Sequence, residues 1–236
     1  MRVAPVQSPK FLPPTTASSV VWRHNTCSWL WLSFDEWNVW YRARGGRFAD
    51  GQRKVAPPLL EEVYNLEDAL LVGGFLNTLL RQSGRARGGC LAQIVNVIAP
   101  LVTNETSVLR QSILDLLAES ETYPIRAEGL RPDFARDDRV PYVDVAATLD
   151  PQNGQLCLLA LNRDVESERE LLVDFRDLTP TRVLAAETLT GTDLKASNTF
   201  ERPTLVAPRL LEAPRPGATM TFRLPARSYS VTQLAT

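Results

Sequence analysis

An apolar run that ends in two acids constrains the fold of this chain more than any other feature. Residues 28–34 read SWLWLSF, and Asp35, Glu36 and the aromatic-rich stretch WNVWY follow directly. A run that is apolar at successive positions is typical of a parallel strand buried on both faces. Successive strand side chains point to opposite faces, so Asp35 and Glu36 are not expected to share one site. Barrel enzymes hold their catalytic groups at the carboxyl ends of such strands, so one of the two acids is expected to face a pocket.

A strand–helix–strand unit is predicted from this run onward. Asn65 can cap the first turn of a helix, and Glu67 and Asp68 favour the positive end of the helix dipole. Apolar residues then recur at helical spacing through LEDALLVGGFLNTLLR. A second apolar run, CLAQIVNVI at residues 90–98, predicts a second buried strand. The order predicts a right-handed parallel crossover.

This α/β segment is too small to be a complete domain. A further helix is predicted around residues 106–118, where it would cover the second strand. Two strands and two helices cannot close a barrel, and an open two-stranded parallel sheet leaves apolar edges. Residues 28–118 are therefore expected to be the end of a larger domain.

The pattern changes to period two from about residue 138. Valine, alanine and leucine alternate with other residues over 143–149, DPQNG supplies a turn, and residues 155–162 form the predicted return strand. Short strands at this spacing, with no helix between them, indicate an antiparallel β-sandwich. The fold class is thus α/β plus all-β. Further strands are predicted at 170–175, 181–188, 218–224 and 228–234. The expected divisions are a disordered lead-in (1–27), an α/β segment (28–120) and a sandwich domain (121–236).

Composition excludes several classes of partner. The formal net charge of −1 and the lack of long like-charge blocks give no basis for a nucleic-acid partner. No apolar run approaches the roughly 18 residues of a membrane span, so no membrane association is expected. Cys27, Cys90 and Cys157 show no metal-binding spacing and are predicted to be buried, reduced thiols of an intracellular protein. No metal or other cofactor is expected.

Several long strings of this chain resemble one known family. The strings SFDEWNVWY, YNLEDALLVGGFLNTLLR and CLAQIVNVIAP are similar to the C-terminal part of α-L-arabinofuranosidases of glycoside hydrolase family 51. The resemblance continues through ALNRDVESERELLVDFRDL, ETLTGTDLKASNTFERP and RSYSVTQL, and it covers about residues 33–236.

The resemblance implies a fold, a reaction and a set of site residues. Family members are retaining enzymes with a (β/α)8 TIM barrel and a C-terminal β-sandwich, and they release terminal arabinofuranosyl residues. Glu36 matches the nucleophile at the end of barrel strand 7, Trp40 an aromatic that lines the sugar site, and Gln93 a sugar-binding residue on strand 8. Asn38 could bind substrate or brace the loop. The expected partners are arabinofuranosyl oligosaccharides, the expected location is cytoplasmic, and family members are often homo-oligomeric.

One departure from the family pattern limits the expected activity. The family's acid/base glutamate lies in a Gly-Asn-Glu motif upstream of the nucleophile, but no Asn-Glu pair precedes Glu36 here. We therefore expect a fragment that carries the nucleophile but is inactive alone. The alternative is a non-catalytic carbohydrate-binding or interaction module built on the sandwich.

Overall fold

The computed structural model describes residues 31–40, 61–114 and 141–236. The predicted lead-in and the boundary near residue 120 lie outside these ranges. The helix and strands are, in chain order, β1 (Leu32–Trp37), α1 (Leu66–Arg81), β2 (Ala86–Leu91), β3 (Leu101–Thr103), β4 (Val108–Arg110), β5 (Val143–Asp150), β6 (Gln155–Asn162), β7 (Arg169–Asp174), β8 (Arg182–Thr190), β9 (Arg209–Leu210), β10 (Thr219–Leu224) and β11 (Ser228–Ala235).

Helix α1 begins where the sequence predicts. The Asn65 side chain accepts a hydrogen bond from the Asp68 amide at 3.1 Å, and the Asp68 carboxylate accepts one from the Asn65 amide at 2.9 Å. This reciprocal capping box satisfies two amides that the first helical turn leaves without partners. The predicted N-cap is confirmed.

The second parallel strand lies earlier in the chain than predicted. Strand β2 spans Ala86–Leu91, not 90–98, and it pairs in parallel with β1. The prediction that both strands are buried on both faces was also wrong: Trp37 is the only fully buried residue of β1, and β2 has none. The physical reason is that the described sheet has two strands and packs on α1 from one side, where Leu79 approaches Gly89. Cys90 is consequently exposed rather than buried.

A hairpin replaces the first part of the helix predicted around residues 106–118. Strands β3 and β4 pair antiparallel across a tight turn. The side chain of Asn104 accepts hydrogen bonds from the amides of Thr106 and Ser107, at 3.0 and 2.7 Å. An asparagine that bonds to amides two and three residues ahead stabilises a turn in preference to a helix.

The strands predicted in the second half of the chain are confirmed to within two residues of their bounds. Strands β5, β6, β11, β8 and β9 form one antiparallel sheet in that order, and β10 and β7 form a second. The turn predicted by DPQNG joins β5 to β6, and its Gly154 has a φ of 60° that suits glycine.

The five-stranded sheet is covered on both faces. Leu156, Leu158 and Ala160 of β6 belong to one apolar cluster with Met220 and Phe222 of β10. The alternate residues of β6, Leu159 and Leu161, belong to a second cluster that includes residues of α1 and Trp37. The predicted α/β segment and the predicted sandwich segment thus contribute side chains to one shared core. Trp37, the last residue of β1, is part of that core.

Candidate active site

Glu36 lies in an irregular part of β1, close to its carboxyl end. Phe34 pairs with Gly89 and Trp37 with Leu91, so β1 holds one more residue than β2 over this interval. Glu36 has a φ of 58°, a left-handed conformation that is uncommon for residues other than glycine. Such irregularities re-aim side chains and are frequent beside active sites. Strict alternation does not hold here, and both Asp35 and Glu36 are exposed.

The Glu36 side chain is exposed at this strand end. It makes no hydrogen bond or ion pair with any other residue of the described ranges. The following residue, Trp37, is 5% exposed and packs on Phe34 and Phe75, with ring centroids 6.5 and 5.8 Å away. The buried indole anchors the strand end, so the exposed carboxylate extends from a fixed backbone.

Asn38 braces the segment that follows β2. Its Nδ2 donates to the backbone oxygen of Ala92 at 2.9 Å and to that of Ile98, and its Oδ1 accepts from the Val39 amide at 2.8 Å. Both N–H donors of the amide therefore bind backbone. Of the two roles that the sequence left open for Asn38, these contacts favour bracing.

Gln93 follows β2 and does not lie on a buried strand as predicted. A cis peptide bond joins it to Ala92, and its side chain is exposed. The Ala92 amide donates to the Trp37 carbonyl at 3.0 Å, which extends the pairing of the two strands by one bond. Glu36 and Gln93 therefore lie at the same end of the parallel pair.

Trp40 is 57% exposed and follows the same strand end. Its neighbour Val39 is held by Tyr64, whose hydroxyl donates to the Val39 carbonyl at 2.8 Å. Tyr64 is fully buried, and its amide donates to the side-chain oxygen of Gln111 at 2.8 Å. Sequence reasoning did not single out Tyr64 or Gln111, because only their contacts with distant residues reveal their positions.

The arrangement combines a carboxylate, an amide and an indole at one end of two adjacent strands. A carboxylate can attack an electrophilic carbon, an amide can hydrogen-bond hydroxyls, and an indole can cover the apolar face of a sugar. Across the described ranges, no group of three or more potential metal-ligating side chains occurs, and no helix has the length and apolar character of a membrane span.

Known proteins are similar to this chain in sequence. A family model described as the α-L-arabinofuranosidase C-terminal domain matches residues 35–228. The intracellular exo-α-(1→5)-L-arabinofuranosidase 1 of Bacillus subtilis is 36% identical over 188 residues, which are 74% of this chain and 36% of that protein. The corresponding enzyme of Acetivibrio thermocellus is 35% identical over 181 residues, or 72% of this chain and 36% of that protein.

Solved structures of α-L-arabinofuranosidases are also similar to this chain. A family 51 α-L-arabinofuranosidase from Bifidobacterium longum superposes with a TM-score of 0.70 at 32% identity, covering 87% of this chain and 42% of that chain. The family 51 enzyme from Xanthomonas axonopodis pv. citri has a TM-score of 0.69 at 23% identity, covering 88% of this chain and 42% of that chain, and supports the fold alone.

The fold and these matches define the class as glycosidases. The chain belongs to the family 51 α-L-arabinofuranosidases and corresponds to a C-terminal part of them. It spans about a third of the length of the curated relatives it matches, 36% in the two cases above.

Proposed function

We propose that this chain carries the nucleophile of an α-L-arabinofuranosidase site, and that Glu36 is that residue. The observation that carries the proposal is the exposed carboxylate of Glu36, which has no partner among the described residues and lies on a left-handed residue beside the buried Trp37. Non-glycine residues in this conformation are concentrated at functional sites, because the surrounding structure must hold them there. Family membership supplies the substrate class.

The proposed reaction is retaining hydrolysis. A carboxylate oxygen of Glu36 bonds to the anomeric carbon of a terminal α-L-arabinofuranosyl group as the bond to the leaving oxygen breaks. The leaving oxygen needs a proton from a second carboxyl, and water then releases the sugar from the glycosyl ester. In retaining enzymes that carboxyl lies about 5–5.5 Å from the nucleophile. Gln93 is proposed to hydrogen-bond a sugar hydroxyl and Trp40 to cover an apolar sugar face.

We also propose the domain context of this site, its partners and its location. Strands β1 and β2 would be the last two strands of a (β/α)8 barrel, a reading supported by their parallel pairing. The described part of the predicted sandwich segment, residues 141–236, would belong to a β-sandwich domain, a reading supported by the apolar cluster between the two antiparallel sheets. The proposed partners are arabinofuranosyl oligosaccharides. A cytoplasmic location is proposed because relatives carry the name intracellular.

We further propose that the chain does not turn over substrate by itself. Proton transfer to the leaving group typically contributes 10²–10⁴-fold, and no residue of this chain matches the family's acid/base. An arabinofuranoside with a dinitrophenolate leaving group separates the two steps, because that group departs without a proton. We expect this reagent to give a stable arabinosyl ester on Glu36 without steady-state turnover.

Mass spectrometry of the intact chain and of its peptides measures this outcome. One arabinosyl group per chain, located on Glu36 and absent in Glu36→Gln, supports the proposed nucleophile. Asp35→Asn is the matched control and should label like the wild type. Equal labelling of the wild type and Glu36→Gln, or no labelling of either, contradicts the assignment. Catalytic turnover that disappears in Glu36→Ala contradicts inactivity.

A non-catalytic carbohydrate-binding module is the second candidate. It is favoured by Tyr142, which immediately precedes β5, is 57% exposed and has the Arg169 guanidinium 4.5 Å from its ring centroid. Exposed, preorganised aromatics are suitable surfaces for sugars. Calorimetric titration of the full chain with arabino-oligosaccharides distinguishes the candidates: binding lost in Tyr142→Ala but kept in Trp40→Ala supports the module.

A further inference from the structure

We propose that Asn38 is a positioning residue that locks the loop carrying Gln93 onto the strand end carrying Glu36. The loop in question, residues 92–98, is called the post-β2 loop below. The lock consists of the three hydrogen bonds of the Asn38 amide, here called the Asn38 clamp. Its significance for a reaction rests on the proposed function, whereas its effect on the loop does not.

In the Asn38 clamp, the side-chain amide of Asn38 acts both as a donor and as an acceptor of hydrogen bonds. Its two N–H groups donate to Ala92 and Ile98, the two ends of the post-β2 loop, and its oxygen accepts from the Val39 amide. The same Ala92 that accepts this bond also donates to the Trp37 carbonyl at 3.0 Å. A sugar hydroxyl could accept a hydrogen bond from Asn38 only if Asn38 gave up its bond to one of these carbonyls.

The loop has a backbone that needs such support. Asn96 has a φ of 64° and Ile98 a φ of 40°, both in the left-handed region. A β-branched residue is a genuine outlier there, and such residues persist only where their surroundings over-determine them. The Ile98 carbonyl also accepts from the Gln93 amide at 3.3 Å, so the clamp supports both a strained residue and the candidate sugar-binding residue.

A second set of hydrogen bonds supports the other side of the clamp. The Tyr64 hydroxyl holds the Val39 carbonyl, and the Tyr64 amide donates to Gln111. The Gln111 side chain in turn donates to the carbonyl of Ala99, one residue beyond the loop, at 2.7 Å. Val39 and the residue that follows the post-β2 loop are thereby joined through two fully buried residues, Tyr64 and Gln111.

Asn38→Asp tests the clamp with almost no change of shape. The variant keeps an acceptor for the Val39 amide and loses both donors. Hydrogen exchange of the full chain, followed by mass spectrometry, should show amides of residues 93–98 exchanging about tenfold faster, as expected for the loss of about one net hydrogen bond. If Asn38→Asp does not fold, Asn38→Ala replaces it. The alanine variant also removes both donors, and it places no carboxylate next to the carbonyls of Ala92 and Ile98.

Asn162→Asp is the matched control. Asn162 is a fully buried amide that donates to three backbone carbonyls, with lengths of 2.9 to 3.1 Å, and accepts from the Asp164 amide at 3.0 Å. It lies on β6, away from the post-β2 loop. Faster exchange of residues 93–98 in both variants, or in neither, overturns the proposal.

Labelling of Glu36 supplies a readout that a purely structural role would not change. At matched stability, Asn38→Asp should lower the maximal rate of ester formation by about tenfold, because the reacting groups are less well positioned. Asn162→Asp should leave that rate unchanged. Equal labelling rates in all three proteins overturn the positioning role. If the wild type is not labelled, the proposed function fails, and the exchange comparison still decides whether Asn38 holds the loop.

Discussion

The hydroxyl of Tyr229 donates a hydrogen bond of 2.9 Å to the side-chain oxygen of Asn77, between β11 and α1. Both residues are almost completely buried, and the Asn77 side chain donates onward to the Asp144 carbonyl on β5 at 3.2 Å. Burial raises the pKa of Tyr229, so the hydroxyl stays protonated and remains a donor. These two bonds tie the helix that packs under β1 and β2 to two strands of the large sheet.

Tyr229→Phe is expected to destabilise the chain by about 1–3 kcal/mol, because it leaves the buried Asn77 oxygen without a donor. Urea unfolding, followed by tryptophan fluorescence, measures the free energy of unfolding. Tyr142→Phe, at an exposed tyrosine, is the control and should change it by less than about 0.5 kcal/mol. Equal effects of the two substitutions would contradict the role of the buried bond.

Gly73→Ala should lower the free energy of unfolding, although alanine is the better helix former. A Cβ at Gly73 would lie 2.3 Å from Cδ2 of the Tyr229 ring. Overpacking of this kind costs about 1–3 kcal/mol, which exceeds the gain of about 1 kcal/mol in helix propensity when the ring cannot move.

Gly74→Ala provides the comparison within the same helix. The nearest atom to its Cβ would be Cδ2 of Leu161 at 3.4 Å, an ordinary contact. This variant should be more stable than the wild type by about 0.5–1 kcal/mol. The packing argument fails if Gly73→Ala is as stable as Gly74→Ala.

Asp144→Ala is expected to cost about 3–5 kcal/mol, because it removes the partner of a largely buried cation. Asp144 pairs with Arg81, whose side chain is 12% exposed, and with Arg163 at 2.9 Å. The exposed pair of Glu170 and Arg223, 3.9 Å apart, is the control, and Glu170→Ala should change stability by at most about 1 kcal/mol. Chemical denaturation of both variants measures the two losses in the free energy of unfolding. Equal losses would show that the ion pairs of Asp144 contribute no more than a surface pair.

Stability should fall in acid partly through Asp164. The backbone amides of Glu166 and Ser167, together with Arg169, lower the pKa of Asp164. A carboxyl with a lowered folded-state pKa stabilises the fold fully above the unfolded-state value of about 3.9, and this contribution is lost as pH falls through the folded-state pKa.

Asp164→Asn removes this linkage. The difference in the free energy of unfolding between wild type and variant should be largest near neutral pH and should shrink below about pH 4. Urea unfolding at several pH values provides the measurement. A difference that stays constant down to about pH 2 would show that the ionised carboxylate does not supply the stabilisation.

Local sequence signals predicted much of the fold. The N-cap at Asn65, the turn DPQNG and the strands from β5 to β8, β10 and β11 follow from capping, turn residues and period-two alternation, which act over a few neighbouring positions. The two-residue strand β9 was not predicted. The apolar run at residues 90–98 was misread because a half-exposed loop with apolar side chains has the same composition as a buried strand.

The sequence by itself determined the family, the order of most strands and the identity of Glu36 as the candidate nucleophile. Tertiary structure decided the left-handed backbone at Glu36, the end of β2 at Leu91 and the bracing contacts of Asn38. The physical reason is the separation of the contacting residues along the sequence. Asn38 lies 54 and 60 positions from the two residues whose carbonyls it binds. No local pattern encodes such a contact, since it forms only when two strand ends meet over a shared core.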